Sequence, residues 1–501
     1  MTPENKAKYD AKEKRIRDAI ALKEPDQIPI KPSPAIFPVL DAGYTVAQSI
    51  YDETLEIYKE AIFKYHHTFE PDAGIGVGNN YAGQGPLMEL SDPKNMRWAG
   101  MPGHLIDDNS IQQHIEYPFL EDDEFDQFWT DRTGWLMNKS FPRASDTLAP
   151  FANVHFPIAM GGTRAVAAAF STPEMKETIQ KLWALDEKAR EFDKKAAAFA
   201  KEVEEDGYPI FTGGGAAVPF DMYSDGLRGT INSLADLYER PEDVERFIEE
   251  AQEMILSNIR AGKGKGEGKF VFMALHKGMD GFMSDEQYEH YYWRHLREII
   301  ETIIDVGKVP YIFTEGKYNT RLHFLTEVPK GKVYYHFETV DMAEAKRILG
   351  DTACIAGGLG VKIMNFGTPQ EVRDECKKII DARNIDLIVL AGFLNILSVD
   401  FVRRYDHRIV NIHPSLIPAF CGEGFYGIVP HEAALARGVK LTGATVHFVN
   451  EVADGGEIIR QKAVEVLPGD TPEVLQRRVM EQAEWVILPA AVSEICDRMR
   501  G

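Results

Sequence analysis

Short apolar runs alternate along most of the chain with longer stretches in which apolar residues recur at helical spacing. The opening MTPENKAKYDAKEKRIRDAIALKEPDQ reads as a charged helix, followed by the proline-punctuated, extended IPIKPSPAIFPVLDAGYT and a helical stretch VAQSIYDETLEIYKEAIFKY. From about residue 200 the alternation becomes regular. A long charged helix near 173–206 leads to a strand YPIF and a loop TGGGAAVPFD, then to a helix starting at RPEDVERFIEEAQEMI and a strand at 271–276. A helix ending REIIETIIDVG, the strands VPYIFT and VYYHF, the helix MAEAKRILG, the strand ACIAGG and the helix TPQEVRDECKKIIDA follow. The last of these opens with a threonine cap and a proline in its first turn, a helix start signal. Apolar runs too short for core helices, separated by helices, predict a parallel sheet covered by helices. Their number predicts a (β/α)8 barrel of the TIM type.

From Asp386 a second, smaller α/β pattern begins: DLIVLAGFLNIL, a helix VDFVRRY, a strand RIVNIHPSLIPAF and a glycine-rich loop CGEGFYG. A helix HEAALARG, a strand GATVHFVN, a turn EVADGGE, a strand IIRQKAVEV and a closing helix from Thr471 complete it. Two domains are expected, 1–383 and 384–501, in line with a length of 501 residues. The strand DLIVLAGF is claimed by both, because it can close the barrel as its last strand or lead the second sheet. If it leads the sheet, the barrel lacks a strand and the sheet shows an apolar edge.

Composition supports packed cores, with 44% hydrophobic and 27% charged residues. A net charge of -22 and a pI near 5.2 set the protein's field against nucleic acid and anionic membrane as partners. The N-terminus lacks the apolar stretch of a signal peptide, and no run of about 18 apolar residues occurs. Four scattered cysteines form no C-x-x-C pair, which fits thiols in a reducing cytoplasm rather than disulfides or a zinc ribbon.

The chemistry concentrates in Asn411-Ile412-His413-Pro414. Residues i and i+2 of a strand share a face, so Asn411 and His413 project together where Pro414 stops the strand. An amide beside an imidazole is a donor pair suited to the oxyanion of acyl transfer. Asp454, in Ala453-Asp454-Gly455-Gly456, sits where glycines let backbone approach a ligand closely. A carboxylate there is expected to raise the histidine pKa toward working pH. No serine, cysteine or lysine is placed for a covalent intermediate, and Cys421, in a glycine loop with no adjacent base, reads as incidental. No metal is expected.

The phrases LAGF-x-x-IL, NIHPSL-x-P, TGATVHFV, DGG and PGDTPEVLQRRVMEQAEWVILP resemble the glycinamide ribonucleotide formyltransferase family. The resemblance implies a partial Rossmann-like formyltransferase sheet and 10-formyltetrahydrofolate as co-substrate. It gives Asn411 and His413 the oxyanion and proton-transfer roles, with Asp454 modulating the histidine. It also implies that Leu394, Asn395, Ile396 and Leu397, with the loop 450–454 that holds Asn450 and Asp454, line the pterin pocket, and that His447 sits at its edge. Asn395 departs from the arginine common in the family. The strand and G-x-G-S-N type loop with which the family opens, and which hold the ribonucleotide phosphate, have no counterpart in this sequence.

Residues 10–383 resemble the uroporphyrinogen decarboxylase superfamily, which includes corrinoid-dependent methyltransferases. The phrases DGLRGTINSLADLYERPEDV and GTPQEVRDECKKIID carry this, with Gly213, Gly214, Asp221, Asp225, Arg228, His276, Lys277, Glu315, His336 and Glu338 expected at the strand ends. Two departures count against the family's known reactions. PAIFPVLDAGYT has no arginine where the decarboxylases grip acidic side chains, and His336-Phe337-Glu338 replaces the His-x-Cys of the zinc methyltransferases. His336 reads as a hydrogen-bonded rim histidine, and His66-His67 as structural. TGGGAAV and IAGGLG match neither nucleotide-binding fingerprint and read as tight βα turns.

The expected function is formyl transfer from 10-formyltetrahydrofolate to the amine of glycinamide ribonucleotide in purine biosynthesis, impaired by the missing phosphate loop. Two alternatives stand beside it: a decarboxylase-like or methyltransferase-like barrel enzyme with a folate-binding remnant, and a non-functional gene fusion. Small-molecule substrates in the cytoplasm are expected, with no nucleic-acid or membrane partner; a homo-oligomer is left open.

Overall fold

A computed structural model describes the chain except for residues 79, 104, 157–161, 361–362, 364–366, 369, 376–386, 391–398, 423 and 501, and the side chains of 400 and 500. The protein is α/β and divides into two compact units, Met1–Ile379 and Ile380–Gly501. Among the described residues no helix is long and apolar enough to cross a membrane.

The first unit opens with α1 (Pro3–Ile20), capped by the Thr2 hydroxyl on the Asn5 N–H. The expected helical stretch after it breaks in two, Val46–Tyr51 and Glu56–Phe69. The break is local chemistry: the Asp52 carboxylate accepts from the N–H groups of Thr54 and Ile57, and Leu55 turns left-handed at φ 65°. Helix α2 (Pro173–Glu205) carries the chain to β1 (Thr212–Gly215), α3 (Pro241–Ala261), β2 (Phe270–Leu275), α4 (Arg294–Asp305) and β3 (Val309–Lys317). Then come β4 (Tyr334–Thr339), α5 (Met342–Leu349) and β5 (Cys354–Gly357).

The five strands form one parallel sheet in the unreversed order β1-β2-β3-β4-β5. Closure into a ring of eight is not seen among the described residues. Two strands differ from expectation. The strand predicted at 271–276 begins one residue earlier. The strand assigned to YPIF forms instead at Thr212–Gly215, in the predicted glycine loop. A Cβ on Gly213 would lie 2.4 Å from that of Lys269, so the missing side chain is what lets the two backbones meet.

Alternation along the strands separates two faces. Val271, Met273, Leu275, Ile312, Tyr335 and Phe337 point to the helices and are almost wholly buried. Against them packs α4 with Leu296, Ile299, Ile300 and Ile303, the i, i+3, i+4, i+7 stripe of an amphipathic helix. Each such side chain contributes about 1.5–3 kcal/mol. A buried ion pair fixes the helices beyond β1. Arg228 reaches Asp236 through Nε at 2.7 Å and Nη2 at 3.1 Å, and Tyr223 donates to the same carboxylate at 2.7 Å.

The N-terminal segment is tied to this unit by a second buried carboxylate. Asp72 pairs with Arg15 of α1, accepts from the Ile30 N–H at 2.7 Å, and gives its own N–H to the Ile30 carbonyl at 2.8 Å.

The second unit contains β6 (Ile388–Leu390), α6 (Val399–Arg404), β7 (Ile409–His413), α7 (Val429–Arg437), β8 (Leu441–Phe448) and β9 (Ile458–Glu465). It ends in α8 (Pro472–Val479) and α9 (Trp485–Arg500). The sheet order is β9-β8-β7-β6, with β6 parallel to β7 and the other pairs antiparallel. The described part of the doubly claimed strand therefore joins this sheet. Val410, Ile412, Ala444 and Val446 on one sheet face pack with Leu475, Val479 and Ile487 as the core.

Candidate active site

The other face of β7 carries the chemistry. Asn411 and His413 are two apart on it, and the antiparallel register sets His447 opposite Asn411 and Thr445 opposite His413. His413 and His447 are both nearly buried. The turn after β8 returns Asp454 over them, its Oδ2 at 3.3 Å from His413 Nδ1 and its Oδ1 at 3.6 Å from His447 Nε2. Asn411, His413, His447 and Asp454 thus converge.

Hydrogen bonds fix the roles. His447 Nδ1 faces the Phe448 carbonyl at 2.8 Å and donates to it, while its Nε2 stands 3.3 Å from the Asn411 amide nitrogen and 3.6 Å from Asp454 Oδ1. Among the described residues Asn411 Nδ2 keeps an N–H for another partner. His413 Nε2 meets the Phe420 carbonyl at 2.9 Å, so both of its ring nitrogens face acceptors.

Burial nevertheless pushes the His413 pKa below its ordinary value, against the raising effects of the Phe420 carbonyl and Asp454. The expected upward shift is thereby corrected: the carboxylate acts in the predicted direction, but desolvation outweighs it. Burial also pulls Asp454 upward, yet His447, the Gly422 N–H at 2.8 Å and His413 together hold it below the usual carboxylate range.

The turn holding Asp454 is built from its own side chains. Asn450 accepts from the Val452 N–H at 3.0 Å and donates to the Gly455 carbonyl at 2.9 Å, and Asp454 adopts φ 54°. A Cβ on Gly456 would stand 1.7 Å from the Phe448 carbonyl oxygen. Gly456→Ala is therefore expected to cost about 1–3 kcal/mol, read as a lower midpoint in chemical denaturation of the full chain. An unchanged midpoint would show that this turn has slack.

Asn450 thus lies in the turn as a structural brace, and Cys421 gives its thiol to the Pro418 carbonyl at 3.3 Å. Leu394, Asn395, Ile396 and Leu397 lie outside the described residues. Two contributors escaped the sequence reading. The Gly422 N–H is one, in a loop whose glycines were its signal. The other is His431 on α7, wholly buried with neither ring nitrogen hydrogen-bonded among the described residues. Burial, with His413 near, pushes its pKa down to about 4.

In the first unit, the strand ends gather a different cluster. Buried Asp221 accepts from the N–H groups of His276 and Lys277 at 3.1 and 2.9 Å and from the Tyr292 hydroxyl at 2.6 Å. Burial raises its pKa to about 6. Asp225 pairs with His276 Nδ1 and with Lys277 at 2.9 Å, and Glu315 stands 3.8 Å from His276 Nε2. The Asp225 hydrogen bond raises His276 to about 9. Arg228 is spent on Asp236, and Glu338 accepts from the Gly316 N–H at 2.6 Å. Among the described residues no group of three His, Cys, Asp or Glu side chains could hold a metal ion.

Residues 341–492 match the family model described as formyl transferase, and residues 148–392 match that described as uroporphyrinogen decarboxylase, so the matches overlap over 341–392. Chloroplastic phosphoribosylglycinamide formyltransferase of Arabidopsis thaliana is 42% identical over 130 residues, 26% of this chain and 43% of that protein. Phosphoribosylglycinamide formyltransferase of Haemophilus influenzae is 39% identical over 128 residues, 26% of this chain and 58% of that protein. The chain thus spans only about half the length of these curated relatives. A crystal structure of phosphoribosylglycinamide formyltransferase from Brucella melitensis is 32% identical, covering 37% of this chain and 93% of that one at a TM-score of 0.25.

Proposed function

We propose, from the premise that residues 341–492 are a formyl transferase domain, that the chain transfers a formyl group from 10-formyltetrahydrofolate to the amine of glycinamide ribonucleotide. The observation that carries this reading is the convergence of Asn411, His413 and Asp454 in one nearly buried cluster. An amide donor, an imidazole and a carboxylate suit acyl transfer without a covalent enzyme intermediate.

The donor brings an electrophilic formyl carbon bonded to nitrogen. As the acceptor amine bonds to that carbon, its oxygen gains negative charge, and the free N–H of Asn411 Nδ2 donates to it. Neutral His413 takes the proton from the attacking nitrogen and returns it to the departing folate nitrogen as that carbon–nitrogen bond breaks. Asp454 steadies the ring through Nδ1. For this His413 Nε2 must exchange the Phe420 carbonyl for substrate. Leu394, Asn395, Ile396 and Leu397, with Asn450, Asp454 and His447, would line the pterin pocket. With no counterpart of the family's phosphate loop in the sequence, the acceptor is held weakly and turnover is impaired. The domain boundary proposed with this reading, 383/384, falls inside the stretch 341–392 that both family matches claim.

Two measurements bear on it. Titration with 10-formyltetrahydrofolate should change the intrinsic fluorescence saturably, and a change linear in ligand would remove the folate reading. In the pH profile of kcat/KM, corrected for the fraction of acceptor amine that is neutral, the required neutral His413 has a lowered pKa, so the rate should be flat above pH 6.5. It should fall about tenfold per unit only below that. An acid limb centred above 6.5 would contradict this assignment.

A second reading concerns the first unit. The match to uroporphyrinogen decarboxylase over 148–392, the unreversed parallel strand order and the acid–base cluster at the strand ends support a (β/α)8 barrel with a site of its own.

A further inference from the structure

On the face of the five-stranded sheet turned away from its packed helices, several side chains stay partly exposed. Phe270, Tyr311 and Tyr334 belong to one buried cluster with Ile16 and Ile20 of α1. One layer up, Ala274, Phe313, His336 and Ala356 stand in register across β2, β3, β4 and β5. Phe272, Phe313 and His336 remain partly exposed, although their neighbours facing the helices are buried. The rings form a continuous wall: Phe272 lies 6.5 Å from Phe313 at 21°, and Phe313 5.0 Å from His336.

Against the Tyr311 and Tyr334 rings stands a cation with no ion pair among the described residues. Lys31 Nζ lies 4.2 Å from the centre of the Tyr311 ring and 5.7 Å from that of Tyr334. Burial pushes its pKa down to about 8. The position is built, because Ile30, the preceding residue, is bonded in both directions to buried Asp72. Beside it the Tyr311 hydroxyl meets His336 Nδ1 at 2.9 Å, and burial with Lys31 near lowers His336 to about 4, so that ring is neutral. An ammonium on aromatic faces gains from the ring quadrupoles, but a partly desolvated charge is still favoured by a counter-ion.

We propose that this aromatic face binds a small aromatic or conjugated monocarboxylate, its carboxylate on the Lys31 ammonium and its flat body against Phe272, Phe313 and His336. One unpaired cation matches one negative charge. The carboxylates of Glu315 and Glu338, one step further along β3 and β4, oppose phosphates and polycarboxylates. The site belongs to the first unit and does not rest on the formyl-transfer reading.

Calorimetric titration of the full chain with benzoate, and with benzamide as its uncharged analogue, tests this. Benzoate should bind saturably and benzamide at least about tenfold more weakly. Lys31→Met should weaken benzoate by about tenfold or more while Lys31→Arg retains it, with circular dichroism unchanged in both. Absence of benzoate binding at concentrations on the order of 10 mM, equal binding of benzamide, or undiminished binding to a folded Lys31→Met would each overturn the proposal. If Lys31→Met does not fold, the benzoate-to-benzamide ratio on the unaltered chain decides.

Discussion

His413→Ala is expected to lower the rate of formyl transfer by about 1,000-fold while leaving the fold intact. The His413 imidazole can both take the amine proton and give one to the folate nitrogen, whereas the second imidazole of the cluster, His447, is engaged by the Phe448 carbonyl and Asn411; positioned general acid–base catalysis contributes about 100- to 10,000-fold. Truncation removes the contacts of Nε2 to the Phe420 carbonyl and of Nδ1 to Asp454, both local to the site. The core on the opposite sheet face, built from Val410 and Ile412, is untouched. Steady-state release of tetrahydrofolate measures the effect. A loss below tenfold would mean that water or another residue carries the proton.

Asp236→Ala is expected to destabilise the first unit by about 3–5 kcal/mol, the cost of stranding a buried charge. Arg228 would keep the Leu120 carbonyl and Asp122 but lose two bonds to Asp236, and Tyr223 would lose its acceptor. Denaturant titration checks it, and a double replacement Arg228→Met with Asp236→Leu should recover much of the loss. A single-variant cost under 1 kcal/mol would show that the surviving partners suffice.

The site was legible in the sequence because strand alternation is rigid. Once IVNIH is a strand, Asn411 and His413 must share a face, and Ala453-Asp454-Gly455-Gly456 marks a turn able to come close to them. Depth was not legible. The sequence showed that a carboxylate would raise the histidine pKa, but not that desolvation would outweigh it. His431 escaped for a similar reason: at the start of an ordinary helix, nothing in HEAALARG says that its ring lies wholly buried near His413.

The first unit followed its apolar periodicity wherever side chains decide the matter, as along α4 and β2. It departed from it at Thr212–Gly215, where the strand forms through glycines whose backbones pair because no side chain intervenes. Lys31 could not be weighed from IPIKPSPAIF alone, since its importance comes from Tyr311 and Tyr334, far away in the chain. The strand DLIVLAGF satisfies the local pattern of both units, and only pairing decides: Ile388–Leu390 lies parallel to Ile409–His413.

The central claim is that Asn411, His413 and Asp454 transfer a formyl group to an amine. The most direct test is a single turnover with the chain in excess over 10-formyltetrahydrofolate labelled with carbon-13 in the formyl group, glycinamide ribonucleotide as acceptor, and product followed by carbon NMR. The account predicts that the label leaves the folate and appears as a formamide on the acceptor nitrogen with the unaltered chain, and about 1,000-fold more slowly with His413→Ala. Label that stays on folate, or moves equally fast with both proteins, would contradict it.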